Sequence, residues 1–420
     1  MKIDAGGQVE NVYIYVSDAL RYDSVPERLR EYGSVLKTVS SGTNTCTEFP
    51  TMVTGLYPPQ HGVWTFSGLI DSSTETIFDF ADGEFPNYWT PSPIVDSRDD
   101  VIHYNDLFEY FQHVERLDQP FVLLDRDNLP HLPYGYDNAS GLDKVTEEFG
   151  YDMSPVFTAE GENPSSKEYQ AQRDGDFEQM RQDYRVAAEG SVRRFESRLG
   201  VLRDLGLLEN TLVIFTADHG EELGEYGQFM HGGSPVPETV YVPTLFYRDD
   251  RDITVDADFM AHVDLFPTIA SAMDVSASDE LPGYDLLDGA PERRQIFSAI
   301  QSNYLTTNCI EYGSWGPDGG HIFSEIDTFD ALTQSMRLSV RRHILGAYPL
   351  RNAWRTGKAT FLGERSRRRL SFGEPHFDHS RAEEFCDTVL DESVSATKQE
   401  LDEDVKKRLE DLGYREESIE

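Results

Sequence analysis

Four short apolar runs and one long amphipathic segment limit the folds that this chain can adopt. The runs are rich in β-branched and aromatic residues, as buried strands are, and they cover residues 12–16, 121–124, 212–216 and 242–247. Residues 176–207, between the second and third runs, repeat apolar side chains at helical spacing and contain Gly206 close to their end. Strands that alternate with a helix predict a mainly parallel sheet with helices on its faces, so we expect an α/β fold.

The remaining segments indicate how the chain is divided. We predict one large domain over residues 8–290, with an insertion or lid at residues 137–174, which are rich in Gly, Asp, Glu, Ser and Pro and have little periodicity. Residues 291–420 are expected to complete the fold as a small subdomain. Its predicted elements are antiparallel strands and a closing charged amphipathic helix, at residues 295–300, 335–345 and 399–412.

The charge of the chain argues against several partners. Acidic residues outnumber basic ones 76 to 37, the formal net charge is -39, and only 8 residues are lysine. Nucleic acids and anionic membranes bind to positively charged protein surfaces, so neither is expected as a partner. An acidic, lysine-poor surface on a chain with 12% aromatic residues and clear apolar runs is typical of a folded protein that stays soluble in concentrated salt.

The cysteines and the N-terminus bear on the compartment. Cys46, Cys309 and Cys386 are odd in number and have no CxxC spacing, which predicts neither a disulfide framework nor a thiolate zinc site. The N-terminal segment lacks the pattern of a signal peptide, and no run approaches the roughly 18 apolar residues that span a bilayer. We therefore expect a cytoplasmic protein without a membrane span, whose oligomeric state the sequence does not indicate.

Acidic residues and a histidine follow three of the predicted strands. Asp18 follows the first, Asp127 the second, and Asp218 with His219 the third. In an open α/β sheet the carboxyl ends of the strands form the edge where ligands bind, so these side chains are expected to lie together. Each acid taken alone is more often a turn or helix-cap residue, and it is their joint occurrence that favours a site.

Two further histidines complete the candidate set. His131 follows Asp127 in a D-x-x-x-H spacing, and His231 follows the glycine-rich segment HGEELGEYG. Carboxylate oxygens together with imidazole nitrogens suit Zn²⁺ or Mn²⁺ better than an all-oxygen calcium site, while Mg²⁺ and Ca²⁺ stay open. The alternative for His131, which lies between prolines, is a position on a surface loop.

Several segments resemble those of the sulfatase and alkaline phosphatase superfamily. They are NVYIYVSDALRYDS, TNTCTEFPTMVTGLYPPQHGV, FVLLDRDNLPHLPYG, ENTLVIFTADHGEELGEYGQFMHGG, YVPTLFYR and HVDLFPTIASAMDV. The resemblance covers residues 10–290 and implies an alkaline phosphatase-like three-layer sandwich, with a large mixed, mostly parallel sheet between helices. It also implies a metal-dependent hydrolase of phosphate or sulfate esters.

The resemblance implies that Thr45 is the nucleophile. In the family this residue lies ten positions before the glycine of a T-G-x-Y-P segment, and counting back from Gly55 reaches Thr45. Sulfatases carry there a cysteine that is oxidised to formylglycine, within C-x-P-S-R, whereas the phosphatase-like branches use serine or threonine. Cys46 is one place out of register and is not followed by that motif, so formylglycine is not expected.

The resemblance also implies two divalent metal ions that clamp an in-line displacement, with Zn or Mn preferred. The first ion is assigned to Asp18, Thr45, Asp218 and His219. The second is assigned to Asp127, His131 and His231. Sulfatases carry a lysine in place of His231 and hold one metal, and a phosphate monoester dianion gives a second cation more charge to neutralise. We therefore expect a hydrolase of phosphate mono- or diesters.

Three alternatives stay open. The HLPY segment resembles the sulfatase H-x-P-Y, in which the histidine contacts substrate, so His131 fits a one-metal sulfatase as well. Ala19 replaces the second acid of the sulfatase D-D pair and Phe49 occupies the position of an arginine, which is compatible with a catalytically weak binding protein. A transferase that moves a phospho-headgroup to a glycan would use the same chemistry. A small-molecule, glycan or lipid ester is the expected substrate.

Overall fold

The structure is a computed structural model that describes residues 9–81, 88–89, 119–132, 134, 175–226, 229–250, 259–278, 280–291, 293–303, 308–324, 371–398 and 406. The strands are β1 Asn11–Ser17, β2 Leu36–Val39, β3 Gly68–Leu69, β4 Tyr88–Trp89, β5 Val122–Asp127, β6 Thr211–Thr216, β7 Glu222–Leu223, β8 Phe229–Met230, β9 Tyr241–Tyr247, β10 Phe259–Ala261, β11 Ile296–Asn303, β12 Asn308–Gly316, β13 Gly319–Phe323, β14 Phe372–Gly373 and β15 Thr397–Lys398. The α-helices are α1 Thr45–Thr54, α2 Pro58–His61, α3 Glu178–Asp204, α4 Pro237–Val240, α5 Leu265–Ala272 and α6 His379–Leu390. Short 3₁₀ helices lie at Tyr22–Ser24, Glu27–Tyr32, Ile77–Phe80 and His262–Asp264.

The main sheet places β1 at its centre. Its seven strands lie in the order β10, β2, β9, β6, β1, β5, β4. Neighbouring strands are parallel except where β9 pairs with β2 and with β6, so β9 runs against the other six. The predicted α/β fold with a mixed, mostly parallel sheet is confirmed, and the four predicted runs lie largely within β1, β5, β6 and β9.

Helices cover both faces of this sheet, because successive side chains of a strand point to opposite faces. One core joins alternate residues of β1 to α1 and α5, and it contains Val12, Ile14, Val16, Phe49, Met52, Val53, Leu265, Phe266 and Ile269. The other joins the remaining residues of β1 to α3, and it contains Tyr13, Tyr15, Ala188, Val192, Phe195, Leu199 and Leu202. The sheet therefore lies between two helical layers, as the resemblance implies.

The longest helix, α3, confirms the helix predicted over residues 176–207. It ends because Gly206 adopts φ 70°, a left-handed conformation that glycine tolerates, while Leu207 donates its backbone N–H to the carbonyl of Leu202 at 2.9 Å. Within the residues that the structure describes, no helix is long and apolar enough to cross a bilayer.

A small antiparallel sheet of β11, β12, β13 and β14 follows the main sheet and confirms the expected C-terminal antiparallel unit. Helix α6 packs in the same core as this sheet. Ala299 of β11 donates its backbone N–H to the carbonyl of Ser41 at 2.8 Å, so the small sheet contacts the loop that precedes α1. The boundary at residue 290 stays a prediction. Residues 137–174 and 335–345, and residues 399–412 apart from Lys406, lie outside the described residues.

Candidate metal and ester site

The strand ends bring Asp18, Asp218 and His219 together. Strands β1 and β6 are parallel neighbours in which Val16 lies beside Thr216, so the residues just beyond their carboxyl ends meet at one edge of the sheet. The Nε2 atom of His219 is 3.6 Å from Oδ1 of Asp18 and 3.5 Å from Oδ2 of Asp218. All three residues are completely buried. They form the one group of at least three potential ligands found in the described part of the chain, with ligand atoms within 4.8 Å of one another.

The donor atoms of this group fit a divalent cation. Two buried carboxylate oxygens, Oδ1 of Asp18 and Oδ2 of Asp218, have no hydrogen-bond partner within the described ranges. Burial, and next to it the charge of Asp18, raises the pKa of Asp218 above its ordinary value. Such a pair is costly to bury unless a cation lies between the oxygens. Two carboxylates and one imidazole nitrogen are ligands that Zn²⁺ and Mn²⁺ accept.

The backbone around these ligands orients them. His219 donates Nδ1–H to the carbonyl of Gly220 at 2.9 Å, which leaves Nε2 to face the two carboxylates. Oδ1 of Asp218 accepts backbone N–H groups from Ala19 at 3.2 Å and from His219 at 3.0 Å. Ala19 reaches this position with φ 63°, so its contribution to the site is a backbone N–H rather than the carboxylate of a D-D pair.

Thr45 lies beside this group at the start of α1. The helix is capped by Asn44, whose side chain accepts the backbone N–H of Thr47 at 3.1 Å, so the hydroxyl of Thr45 is not used as the cap. The Oγ1 atom is 3.4 Å from Nε2 of His219 and accepts a hydrogen bond from Nη2 of Arg126 at 3.0 Å. It is also hydrogen-bonded to the carboxylate of Asp218. The structure thus brings together the predicted nucleophile and the three residues predicted to bind the first metal ion.

Cys46 is directed away from this site. Its Sγ atom donates to Oδ1 of Asn44 at 3.3 Å and to the carbonyl of Trp64 at 3.5 Å. Burial raises the pKa of the Cys46 thiol to about 12, and the side chain is completely buried. A thiol in this setting is a packed structural group, which agrees with the out-of-register position of Cys46 in the sequence.

The carboxylate of Asp127 does not join the predicted second metal group. Strand β5 continues through Asp127, beyond the run predicted at residues 121–124, and strand alternation places Asp127 on the face that α3 covers. There it forms an ion pair with Arg194, accepts the hydroxyl of Tyr15 at 2.8 Å and accepts the backbone N–H of Leu129 at 3.2 Å. The assignment of Asp127 as a metal ligand is therefore not reproduced by these contacts.

His131 and His231 do lie next to the first group. The ring centroid of His231 is 4.1 Å from that of His219 and 4.7 Å from that of His131. Nδ1 of His231 contacts Oε2 of Glu221 at 3.3 Å. Nδ1–H of His131 donates to the carbonyl of Leu132, and burial, followed by the charge of Arg126, lowers the pKa of His131 to about 3. His131 therefore remains neutral at ordinary pH and presents Nε2 as an acceptor.

Sequence reasoning missed two charged residues of this site. Arg126 lies between Asp125 and Asp127 at the end of an apolar run. In a strand this alternation places Arg126 on the face opposite to the two acids, and it was the available signal in the sequence. It forms an ion pair with Asp18 as well as its hydrogen bond to Thr45. Glu221, in the quoted segment HGEELGEYG, is completely buried. Burial, and then the charge of Asp18, raises the pKa of Glu221 well above its ordinary value.

Known proteins resemble this chain in sequence and in fold. The family model described as Sulfatase matches residues 87–275, and the model described as Type I phosphodiesterase / nucleotide pyrophosphatase matches residues 26–100. A low-salt glycan biosynthesis sulfotransferase of Haloferax volcanii is 30% identical over 328 residues, which are 74% of this chain and 74% of that protein.

Two solved structures share the fold at low sequence identity. One, in complex with its substrate D-glucosamine-2-N,6-O-disulfate, superposes with a TM-score of 0.55 at 13% identity and covers 76% of this chain and 90% of its own. A 2-O GAG sulfatase superposes with a TM-score of 0.54 at 14% identity and covers 82% of this chain and 93% of its own.

These matches bear on the two ester classes that the sequence left open. They support the sulfatase interpretation, which was the alternative, better than the expected hydrolysis of phosphate esters. The buried Asp18, Asp218 and His219 group is consistent with the metal site typical of the superfamily. With a relative that is 30% identical across 74% of both chains, the protein belongs to the sulfatase family of the sulfatase and alkaline phosphatase superfamily of enzymes.

Proposed function

We propose that this chain transfers the sulfuryl group of sulfated sugars, using Thr45 as nucleophile and one divalent metal ion held by Asp18, Asp218 and His219. The observation that carries the proposal is the charge of the site. Two carboxylates and the guanidinium of Arg126 leave one net negative charge. A divalent cation turns this into one net positive charge, which a sulfate monoester anion neutralises and a phosphate monoester dianion exceeds.

The other ionisable groups around the site support this count. Asp127 contributes no charge to it, because Asp127 forms an ion pair with Arg194 on the opposite face of the sheet. His131 is counted as neutral, since burial lowers its pKa to about 3. Burial also raises the pKa of Glu221 well above its ordinary value, which favours the uncharged carboxyl. A second cation is therefore not required to hold a singly charged ester.

The residues of the chain support a two-step transfer. Oγ1 of Thr45 attacks the sulfur while the bond between sulfur and the sugar oxygen breaks. The hydroxyl proton of Thr45 leaves to solvent, and the sugar oxygen takes a proton from solvent by way of neutral His231, which Glu221 contacts at Nδ1. A bound metal ion supplies positive charge to the ester oxygens during both steps.

The second step decides between a hydrolase and a transferase. Either water or a sugar hydroxyl attacks the sulfur of the sulfo-threonine, passes its proton to His231 and releases Thr45, which regains a proton from solvent. The name of the Haloferax volcanii relative supports a glycan acceptor, and the disulfated glucosamine bound by the structural neighbour supports a sulfated sugar as donor. The sequence pattern supports a cytoplasmic location for the reaction.

Metal content and ester preference test this proposal together. The purified protein is kept in concentrated KCl, because its acidic surface is typical of salt-adapted proteins. It is analysed for bound metal and assayed with an aryl sulfate and an aryl phosphate. We expect about one metal ion per chain and faster turnover of the sulfate. Two ions per chain with a preference for the phosphate would contradict the proposal and favour the two-metal phosphate hydrolase.

The transfer and the nucleophile are tested in the same samples. Adding an excess of a sugar alcohol to the sulfate assay, with detection of sulfated sugar by mass spectrometry, separates a transferase from a hydrolase. Peptide mass spectrometry across Thr45 and Cys46 is expected to find Cys46 unmodified. Formylglycine at Cys46 would show that the nucleophile has been assigned to the wrong residue.

A further inference from the structure

The guanidinium of Arg126 rests on Phe49 at the nucleophile. Cζ of Arg126 lies 5.7 Å from the centre of the Phe49 ring, and Nη2 of Arg126 contacts both Oγ1 of Thr45 and the carboxylate of Asp18. Arg126 and Phe49 are both almost completely buried. An arginine over an aromatic face in a desolvated setting is held by the ring quadrupole as well as by its hydrogen bonds.

Two different elements direct side chains into this one volume. Phe49 follows Thr45 by four residues in α1, so the two side chains lie on the same face of the helix, one turn apart. Arg126 enters from β5, on the face opposite to Asp125 and Asp127, whose side chains contact Tyr13 and Tyr15. A guanidinium carried at position 49 would therefore reach the same region as the guanidinium carried at position 126.

We propose that Arg126 is a catalytic residue that holds Oγ1 of Thr45 and offsets negative charge at the ester. Phe49 is a positioning residue whose ring holds the guanidinium of Arg126 in place. The proposal rests on the proposed function, because it assigns a role at the same nucleophile. It adds a charged group from β5 to a site otherwise built from β1, β6 and α1.

The contacts support this role in two ways. Arg126 donates to Oγ1 of Thr45, so the hydroxyl keeps its own proton for the Asp218 carboxylate and presents a lone pair held in a fixed direction. The planar, permanently charged guanidinium also matches the geometry of a sulfate or phosphate group better than an ammonium does. Arg126→Lys is therefore expected to recover only part of the function.

An arginine transplant tests the proposal. Arg126→Leu is expected to lower kcat by on the order of 10²-fold, the usual effect of removing one preorganised donor from a developing anion. The double variant Phe49→Arg with Arg126→Leu is expected to recover at least about tenfold of that loss, because the charge returns to the same volume from α1. A folded double variant that is no more active than Arg126→Leu would overturn the proposal.

A second variant and a binding measurement guard against a simple folding defect. Phe49→Leu keeps an apolar group but removes the ring face, and it is expected to lower kcat by about 3- to 10-fold with KM nearly unchanged. Thermal protection of the metal-loaded protein by inorganic sulfate is expected to be lost in Arg126→Leu and to return in the double variant. Unchanged kcat in Phe49→Leu would overturn the positioning role of Phe49. Unchanged protection by sulfate in Arg126→Leu would overturn the charge role of Arg126.

Arg198→Leu is the matched control. Arg198 pairs with Asp125 of the same strand at 3.4 Å, but on the α3 face, so its loss is expected to leave kcat and sulfate protection nearly unchanged. All variants are assayed with both aryl sulfate and aryl phosphate. Recovery by the double variant with the phosphate as the preferred ester would contradict the proposed function while supporting the role of Arg126.

Discussion

Two buried charged clusters flank β1 and β5, one on each face of the sheet. The α3-side cluster consists of Tyr13, Tyr15, Asp125, Asp127, Arg194 and Arg198. The α1-side cluster consists of Asp18, Thr45, Arg126, Asp218 and His219. Each contains two acids, which lie on β5 in the α3-side cluster and just beyond the ends of β1 and β6 in the α1-side cluster. The clusters differ in how completely those acids are paired.

The α3-side cluster is balanced. Asp125 accepts the hydroxyl of Tyr13 at 2.8 Å and lies 3.4 Å from Arg198. Asp127 has Arg194 on one oxygen and the hydroxyl of Tyr15 on the other. Two acids thus meet two arginines, and the buried charge is compensated by groups of the chain itself.

The α1-side cluster is not balanced by groups of the chain. It has one arginine for two acids, and one oxygen of Asp18 and one of Asp218 have no hydrogen-bond partner in the described residues. A buried acid at a strand end therefore indicates a ligand site when no group of the chain compensates its charge. It indicates a structural ion pair when an arginine compensates that charge.

The largest expected effect comes from the hydroxyl that the unbalanced cluster holds. Thr45→Ala is expected to lower kcat by on the order of 10³-fold or more, because the group that forms the covalent intermediate is removed. Ser191→Ala is the control on the balanced side, where the Ser191 hydroxyl lies 2.7 Å from that of Ser17, and it is expected to stay within about threefold of wild type. Turnover by Thr45→Ala within tenfold of wild type would show that the reaction does not proceed through Thr45.

Equivalent acid-to-amide changes in the two clusters are expected to change the free energy of unfolding of the metal-free protein in opposite directions. Asp218→Asn is expected to weaken metal binding by more than about 10²-fold and to stabilise the metal-free protein, since it relieves repulsion between buried carboxylates. Asp125→Asn is expected to leave metal content unchanged and to lower the free energy of unfolding. Metal titration and urea unfolding measure both quantities, and the same sign of stability change in both variants would contradict the comparison.

Asp127→Asn tests the residue that the sequence assigned to the second metal. It removes the carboxylate charge from the ion pair with Arg194, and it is expected to lower the free energy of unfolding by about 3 kcal/mol. Metal content per chain is expected to stay the same. A loss of bound metal without a loss of stability would restore Asp127 as a ligand.

The smallest expected effect concerns the neutral imidazole of His61, whose two ring nitrogens both form hydrogen bonds on the α1 side of the sheet. His61 accepts the backbone N–H of Val63 at 3.1 Å through Nδ1 and contacts Thr51 at 3.2 Å through Nε2, and burial lowers its pKa to about 3. Because an unfolded histidine titrates near 6.5, the unfolded chain binds more protons between about pH 6.5 and 3, and stability falls as the pH falls through this window.

His61→Gln removes the group that binds this extra proton in the unfolded chain. Between about pH 6.5 and pH 5, wild type is expected to lose on the order of 1 to 2 kcal/mol more unfolding free energy than the variant does. Urea unfolding at both pH values measures the difference. Identical pH dependence in the two proteins would show that His61 is not buried in its neutral form.

Part of the candidate site followed from the sequence because strand ends are set by local patterns. The apolar runs that end at Asp18 and before Asp218 and His219 place these residues at one edge once the sheet is parallel. Thr45 needed the family resemblance, since counting back from Gly55 has no meaning without a known spacing. The faces on which Asp127 and Arg126 lie did not follow from the sequence, because a strand that continues to Asp127 assigns alternate residues to opposite faces.

The sequence by itself determined the α/β architecture, the long helix α3 and the three candidate ligands that follow β1 and β6, because apolar periodicity and the ends of apolar runs are local properties of the chain. Only the tertiary structure decided which buried acids are compensated. Arg194 and Arg198 come from α3 to meet Asp127 and Asp125, whereas Arg126 alone among these arginines faces Thr45. Such pairings join residues far apart in the chain, and no local pattern carries the balance of charge that makes one strand end a structural pair and its neighbour a site.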